Sequence, residues 1–417
     1  MKFNYWFSQR IRLRKGAPAS TSTGVVIAVA GVALALMVME LSLAVVAGFK
    51  HEIERKVLGF DAPVTVNPAY DYHTGLSDDE MRLSDTLAGI VKATVPEAVT
   101  VPVFRRHAIL KTDTDFMAVE CLARGSGHDD SFERGNMVEG SWPDFAGENA
   151  DDSIVISEPM AAKLNVATGD RIFMYFFVDN APKARRAYIS GLYRSNFGEY
   201  DNSIIHTSLG LMQGLGDGGR DTATGVALEG ISRDRIEAAA ERLQSALLDA
   251  YREGRIGEVY PVDNIFHTGA IFFSWLDLLD TNVVVIFILM VCVAAFTLIS
   301  SLFIIILDRV STIGVLRALG ATRGQVSAVF VNVALRLVGL GMLAGNAVAL
   351  GIIALQDATH FLPLDPQMYY LSHVPFEISL PAILLLNAGV GAGAWLLLIL
   401  PARLAARINP AATMRYE

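Results

Sequence analysis

Residues 283–307 read VVVIFILMVCVAAFTLISSLFIIIL, without one charged side chain. That run is longer than the ~20 residues an α-helix needs to cross a bilayer's hydrocarbon core. Only a helix or a closed barrel satisfies its own backbone there. Working outward, Val25–Val38, Val326–Leu355 (broken by Arg336) and Ile378–Leu400 repeat the pattern. Between the first run and the second lie about 230 mostly polar residues. The expected layout is an interfacial segment (1–22), a span (23–48), an outer domain (49–275), then spans at 281–307, 326–355 and 378–400. A cytoplasmic connector (308–324), an external loop (356–377) and a tail (401–417) complete it.

Composition agrees with that mixture. The chain has 417 residues, 52% of them hydrophobic, and a mean hydropathy of +0.40. This is too apolar for an ordinary soluble protein and too polar for a bundle of spans alone. More than 200 residues in one extramembrane block are ample for a core. The net charge of −9 offers no basic surface for nucleic acid. Cys121 and Cys292 fall in different environments, which excludes a disulfide framework; both read as small buried apolar residues.

Lys and Arg near the spans set the orientation. Lys2, Arg10, Arg12, Arg14 and Lys15 precede the first span; Arg309, Arg317 and Arg323 lie between the second and third; Arg403, Arg407 and Arg415 follow the fourth. Residues 356–377 carry Asp357, Asp365 and Glu377 but no Lys or Arg. Both termini and the connector are therefore expected in the cytoplasm, with the outer domain and short loop outside. The apolar stretch Gly24–Gly48 is too long for a cleaved signal's core, so it reads as a retained anchor. Phe3, Trp6, Phe7 and Ile11 recur at helical spacing and suggest a helix in the headgroup layer.

The outer domain alternates strand and helix signals. Pro63–Asn67, Val99–Lys111, Phe116–Leu122, Gly225–Leu228 and Ile256–Val262 read as strands. Ser77–Glu80 reads as a capping box opening a helix to about Ala93, and Ser232 caps another that ends at Gly254. The order β-α-β-β…β-α-β predicts an α+β domain of split-βαβ type. Residues 123–220 are expected to form a β-rich insertion, with strands at Ser153–Ser157, Gly169–Phe177 and Arg186–Tyr193 and a helix at Pro159–Leu164.

A search for chemistry is negative. No Walker A, H-E-x-x-H, C-x-x-C or G-x-S-x-G pattern occurs. His107, His128, His206 and His267 lack ligand-spaced partners, and Asp78-Asp79, Asp129-Asp130 and Asp151-Asp152 suit caps and solvated faces. No catalytic residue and no metal site is expected. Two ionisable residues inside spans stand out: Glu40, roughly 24 Å along the first helix at ~1.5 Å per residue, and Arg336 in the third. Each can serve a function, snorkel to the interface or pair helix to helix inside a dimer.

The connector is the sharpest local feature. Val310, Ile313, Leu316 (with Val315) and Leu319 make an apolar stripe, Arg309 and Arg317 stand about two turns apart, and Gly320 is placed to stop the helix. Such a helix is too short to cross a membrane. It suits a partner's groove or an interfacial connection.

The stretch ILDRVSTIGVLRALGA (306–321) resembles the coupling segment of FtsX/MacB/LolC-type ABC permeases, with Asp308 where Glu is commoner. FSWLDLLDTN (273–282), Gly345-Asn346 with Gln356, LDPQMYYLSHVP (364–375) and Gly48-Phe49-Lys50 resemble the lipoprotein-releasing (LolC/LolE) branch. So do Gly169-Asp170, Gly191-Leu192-Tyr193 and Glu199-Tyr200-Asp201. PARLAARINPAATMR (401–415) resembles the family's C-terminal pattern, and an FtsX-like permease domain is expected at about 276–411. The resemblance implies an α-helical membrane protein of four spans with a large periplasmic α+β, Porter/Sabre-like domain, in the inner membrane of a Gram-negative bacterium. It also implies that Asp308, Arg309, Ile313, Gly314, Leu316, Arg317, Leu319 and Gly320 couple to a separate LolD-like ABC ATPase. ATP and Mg would be bound by that partner, leaving this chain non-catalytic and without a cofactor. A second permease chain, identical or paralogous, a lipoprotein substrate and a periplasmic LolA-like carrier complete the implied assembly. Acyl chains would lie along Met37, Glu40, Leu41, Val45, Phe287 and Met290. Mechanotransmission or efflux, as in FtsX or MacB, is the rival within the family; a sensor or adhesion receptor is the rival outside it.

Overall fold

The computed structural model describes residues 19–71, 76–77, 80–145, 150, 152–178, 181–216, 219–308 and 310–405. The expected interfacial helix, Arg309 and most of the C-terminal pattern lie outside these residues. The chain divides into two compact units. One is helical, built from residues up to His51, Trp275–Pro363 and from His373 on; the other comprises Glu52–Ser274 with Leu364–Ser372.

Among the described residues, four helices are long and apolar enough to cross a membrane. The first helix, Ala19–Phe60, runs twelve residues past the expected end at Gly48. Nothing in the sequence stops it before Asp61-Ala62-Pro63, since a single glycine costs a helix only ~1 kcal/mol whereas proline ends it. The others are Ala270–Leu307, Arg323–Thr359 and Leu380–Ala405. Their shared core gathers Ala28 and Val32, Leu298, Leu302 and Ile306, Phe330 and Leu337, and Leu398. Gly341 and Gly345 give the third helix a small-xxx-small face, where backbones can approach closely. A Cβ on Gly341 would sit 2.8 Å from Val32 Cβ, and one on Gly345 would sit 2.7 Å from the Ala33 carbonyl oxygen. The second span keeps most apolar side chains outward, including Ile288, Phe296 and Cys292. Cys292 thus departs from the expected burial, because a uniformly apolar span hides which face turns inward. Gln356, 1% exposed, ties down the link that follows the third span by accepting from Leu362 N–H and donating to the Val374 carbonyl.

The second unit is built on ten hydrogen-bonded strands: β1 (Val64–Val66), β2 (Val99–Lys111), β3 (Phe116–Arg124), β4 (Met137–Gly140), β5 (Ser153–Ser157), β6 (Arg171–Val178), β7 (Ala181–Tyr193), β8 (Ile204–Thr207), β9 (Gly225–Glu229) and β10 (Val262–Asn264). At one end the order is β10-β1-β9-β2, all antiparallel. With helices α1 (Asp85–Thr94) and α3 (Ile236–Arg252) this is the expected split-βαβ layer. The expected insertion does not build a sheet of its own. Its strands close a six-membered ring with the β2–β3 hairpin, in the order β2-β3-β8-β5-β7-β6 and back to β2. Phe104, Leu110, Cys121, Ile156, Met174, Phe176 and Ile189, all fully buried, fill the interior. Short helix α2 (Glu158–Leu164) adds Met160 to that core.

Three local expectations change. Helix α1 starts at Asp85, not near Ser77, because the Ser84 hydroxyl accepts from Leu87 N–H and makes the cap. Residues 256–261 form turns and coil, and the closing strand is Val262–Asn264, the segment in register with β1. Ser232 opens a 3₁₀ turn (Arg233–Arg235), after which the α-helix begins at Ile236; Gly254 adopts the left-handed conformation just beyond its end.

Candidate functional site

The connector forms a helix over Val310–Ala318. Leu319 N–H donates to the Val315 carbonyl, and Gly320 stops the turn at φ +94°, where a Cβ would be strained. Thr322 then caps the third span with a reciprocal box: Gln325 N–H donates to Thr322 Oγ1, and Thr322 N–H donates to Gln325 Oε1. The expected single stripe splits. Ile313 is 2% exposed and packs in the core with Leu302 and Phe330, whereas Leu319 is 80% exposed and Val315 54%. One face anchors the helix, and a Val315–Leu319 pair one turn apart points outward. The reason is geometric: nine residues entering and leaving between two long helices can spend only one side on their own unit. Gly314 is buried, Arg317 half-buried and Asp308 exposed at the end of the second span.

An apolar cavity of about 430 Å³ opens in the helical unit. Val32, Ala35, Met39 and Leu43 line it from the first helix, Phe287 and Val291 from the second, and Leu386 and Val390 from the fourth. Of the residues expected there, Phe287 is in place and Met290 packs beside it against Leu36 and Met39. Met37, Leu41 and Val45 are half-buried and do not line this cavity; they sit on a different face of the helix, about 200° from Met39 and Leu43 at ~100° per residue. Close packing against the third helix decides which face turns inward.

Glu40 does not line the cavity. It is 2% exposed, and its Oε1 accepts from Asn387 Nδ2 at 3.1 Å. Asn387 and Asn346 exchange amide hydrogen bonds at 2.8 and 3.0 Å, so one polar cluster joins the first, third and fourth helices. Glu40 Oε2 is buried with no hydrogen-bond partner among the described residues. Glu40 thus pairs with another helix of its own chain rather than across a dimer; nothing in the sequence had singled out Asn346 and Asn387 as its partners. Arg336 is half-buried on the third helix.

In the second unit the end of the first helix is gripped by charge. Arg124 donates to the Gly59 and Phe60 carbonyls, and Arg105 donates to the Phe60 carbonyl and pairs with Asp61. Arginines at these carbonyls satisfy groups a helix end leaves open and complement its dipole. Arg124 also pairs with Glu133, and His128 bridges Glu133 (3.0 Å) and Glu229 (2.7 Å). Burial alone would raise the Glu133 carboxyl, but the His128 hydrogen bond and Arg124 hold it at about 2. Burial disfavours the charged His128 ring, yet its hydrogen bonds to Glu133 and Glu229 raise it. His206, among Phe60, Trp142 and Tyr193, is pushed down by burial to about 3. These residues brace the fold; among the described residues no group of three or more His, Cys, Asp or Glu could hold a metal. The β6–β7 hairpin turns the other way: Phe173 and Phe177 alternate with buried Met174 and Phe176 and are 48% and 66% exposed.

Comparison with known proteins agrees with this anatomy. The family described as MacB-like periplasmic core domain matches residues 23–246, and that described as FtsX-like permease C-terminal matches 284–410. The chain is 25% identical over 90% of both chains to the lipoprotein-releasing system transmembrane protein LolC of Xylella fastidiosa (strain Temecula1). It is 24% identical to the LolE protein of Haemophilus influenzae, over 66% of this chain and 67% of that one. Among solved structures, the extracellular domain of the Gram-positive ABC-type transporter YknZ aligns with 49% of this chain and 99% of its own (TM-score 0.33, 14% identity). The periplasmic region of MacB from Actinobacillus actinomycetemcomitans aligns with 52% and 97% (TM-score 0.34, 12% identity). With its four membrane helices, its β-rich periplasmic domain and both family matches in register with them, the chain belongs to the FtsX/MacB/LolC-type ABC transporter permeases.

Proposed function

We propose that this chain is the non-catalytic permease subunit of a transporter that extracts lipoproteins from the inner membrane for a periplasmic carrier. ATP hydrolysis, with its Mg, would reside in a separate ATPase, and a second permease chain would complete the membrane part. The observation that carries this reading is the apolar cavity between the first, second and fourth helices. Its volume falls in the ~300–1,000 Å³ range of ligand sites, and its lining suits acyl chains. Each CH₂ leaving the bilayer costs ~0.8 kcal/mol, so a matching apolar wall and an external energy source are both needed. Val315 and Leu319, exposed beside a buried Ile313, are the surface an ATPase groove would take. Exposed Phe173 and Phe177 on the β6–β7 hairpin suit a protein carrier. The Lys and Arg bias supports an orientation with both termini and the connector in the cytoplasm.

The test is depletion in the native host followed by membrane fractionation. Outer-membrane lipoproteins should accumulate in the inner membrane. An unchanged distribution sinks the extraction reading and leaves mechanotransmission or efflux, which the grip of Arg105 and Arg124 on the first helix also suits.

A further inference from the structure

The link between the third and fourth spans contributes nine residues, Leu364–Ser372, to the β-rich unit. Leu364 N–H donates to the Ser372 carbonyl and closes the loop at its neck. At its tip Tyr370 holds φ +59°, a conformation that disfavours a side chain larger than glycine's. Three contacts accompany that strain. The Tyr370 carbonyl accepts from Lys56 Nζ at 2.7 Å, and its ring meets the edges of Phe197 (4.8 Å) and Phe272 (5.8 Å).

Lys56 is the unusual member. It is 6% exposed, and its second hydrogen bond, at 2.6 Å, goes to the carbonyl of Ser195. A buried ammonium is expensive unless its donors are used. Here they are used on backbone oxygens of two segments far apart in the chain. Ser195 is itself fixed, since its N–H and hydroxyl both donate to Asp201. Aromatic stacking continues inward from Phe197 to Tyr200 (4.9 Å) and on to Phe60 (4.4 Å). One cluster therefore gathers the end of the first helix, the 195–201 turn, Phe272 just inside the second long helix, and the loop between the third and fourth.

We propose that Lys56 and Tyr370 form a latch holding this loop to the periplasmic domain, a load path beside the two helices that enter the domain. Movement of the third and fourth spans then reaches the domain directly. The consequence for transport rests on the permease reading; the latch does not. Met in place of Lys56 would fill the same volume and could not hold two carbonyls. Glycine in place of Tyr370 would keep the carbonyl and relieve the φ, losing only the ring.

The experiment uses the full-length chain with its ATPase in nanodiscs, as wild type, Lys56→Met and Tyr370→Gly. Hydrogen exchange in Lys56→Met should rise about tenfold at residues 364–372, the equilibrium effect of losing roughly one charged hydrogen bond, with β5 and β8 unchanged. Unchanged exchange in the loop overturns the latch. So does a rise spread evenly through the domain, which would make Lys56 a general support. ATP hydrolysis should stay within about twofold of wild type while lipoprotein release falls about tenfold, and equal release overturns the coupling. If Lys56→Met does not accumulate, Tyr370→Gly carries the same test, with a smaller rise in loop exchange expected and no rise overturning it. Should the wild-type complex release no lipoprotein, the extraction reading fails and the exchange arm still decides the latch.

Discussion

Two buried acids show how differently the two units treat charge. Glu133 has His128 and Arg124 around it, and the grip they form holds the end of the first helix. Among the described residues, Glu40 has only the Asn387 amide. Replacing Asn387 with Leu strands the carboxyl, and we expect a loss of about 1–2 kcal/mol, the upper range for membrane hydrogen bonds, read as thermal unfolding in detergent. The buried imidazole of His206 sets an acid limit. Its folded pKa is below its unfolded one, so the unfolded chain binds the extra proton and stability falls as pH drops from about 6.5 toward 3. Glu133 adds to the loss only below about 4.5, its unfolded value, as pH approaches 2. His128 has the opposite sign: its folded pKa is raised, so its share is full below about 6.5 and fades as pH rises through the folded value. His206→Phe in the full-length chain should flatten the melting temperature between pH 6.5 and 4.5; an unchanged slope there refutes the assignment.

At the scale of elements, the connector helix makes the clearest claim. Val315→Glu with Leu319→Glu should abolish co-purification with the ATPase and leave the melting temperature nearly unchanged, because both side chains face outward. Ile313→Ala should do the reverse, costing about 2–4 kcal/mol of folding stability from a filled core position. Equal effects from the two would mean the helix has no free face. The elements were legible to different degrees. Val99–Lys111 and Phe116 onward declared themselves through alternation, since one face of each is buried. The start of α1 did not, because Ser77 and Ser84 both carry the chemistry of a cap and only the second lies beside a helix that has something to bury. Ile256–Tyr260 has the composition of a strand but, among the described residues, no partner in register.

Across the molecule, the packing of the first helix on the third decides where the cavity lies. Gly345→Leu should push the two apart, since even a Cβ there meets Ala33 at 2.7 Å. We expect weaker binding of a lipid probe to the cavity, measured by quenching of a fluorescent acyl analogue in nanodiscs; retained binding would place the lipid site elsewhere. The sequence by itself determined the count of spans, the connector and the split-βαβ order, because each depends on local composition and period. It also placed the Asp308–Gly320 pattern, whose residues are neighbours along one short helix. Only the tertiary structure decided which face of each uniformly apolar helix turns inward, and so replaced Met37, Leu41 and Val45 with Met39 and Leu43 around the cavity. The same holds for the six-strand ring, the Glu40–Asn387–Asn346 cluster and the Lys56 latch. Their partners stand tens to hundreds of residues apart, and no periodicity within one segment encodes what another segment will bring to it.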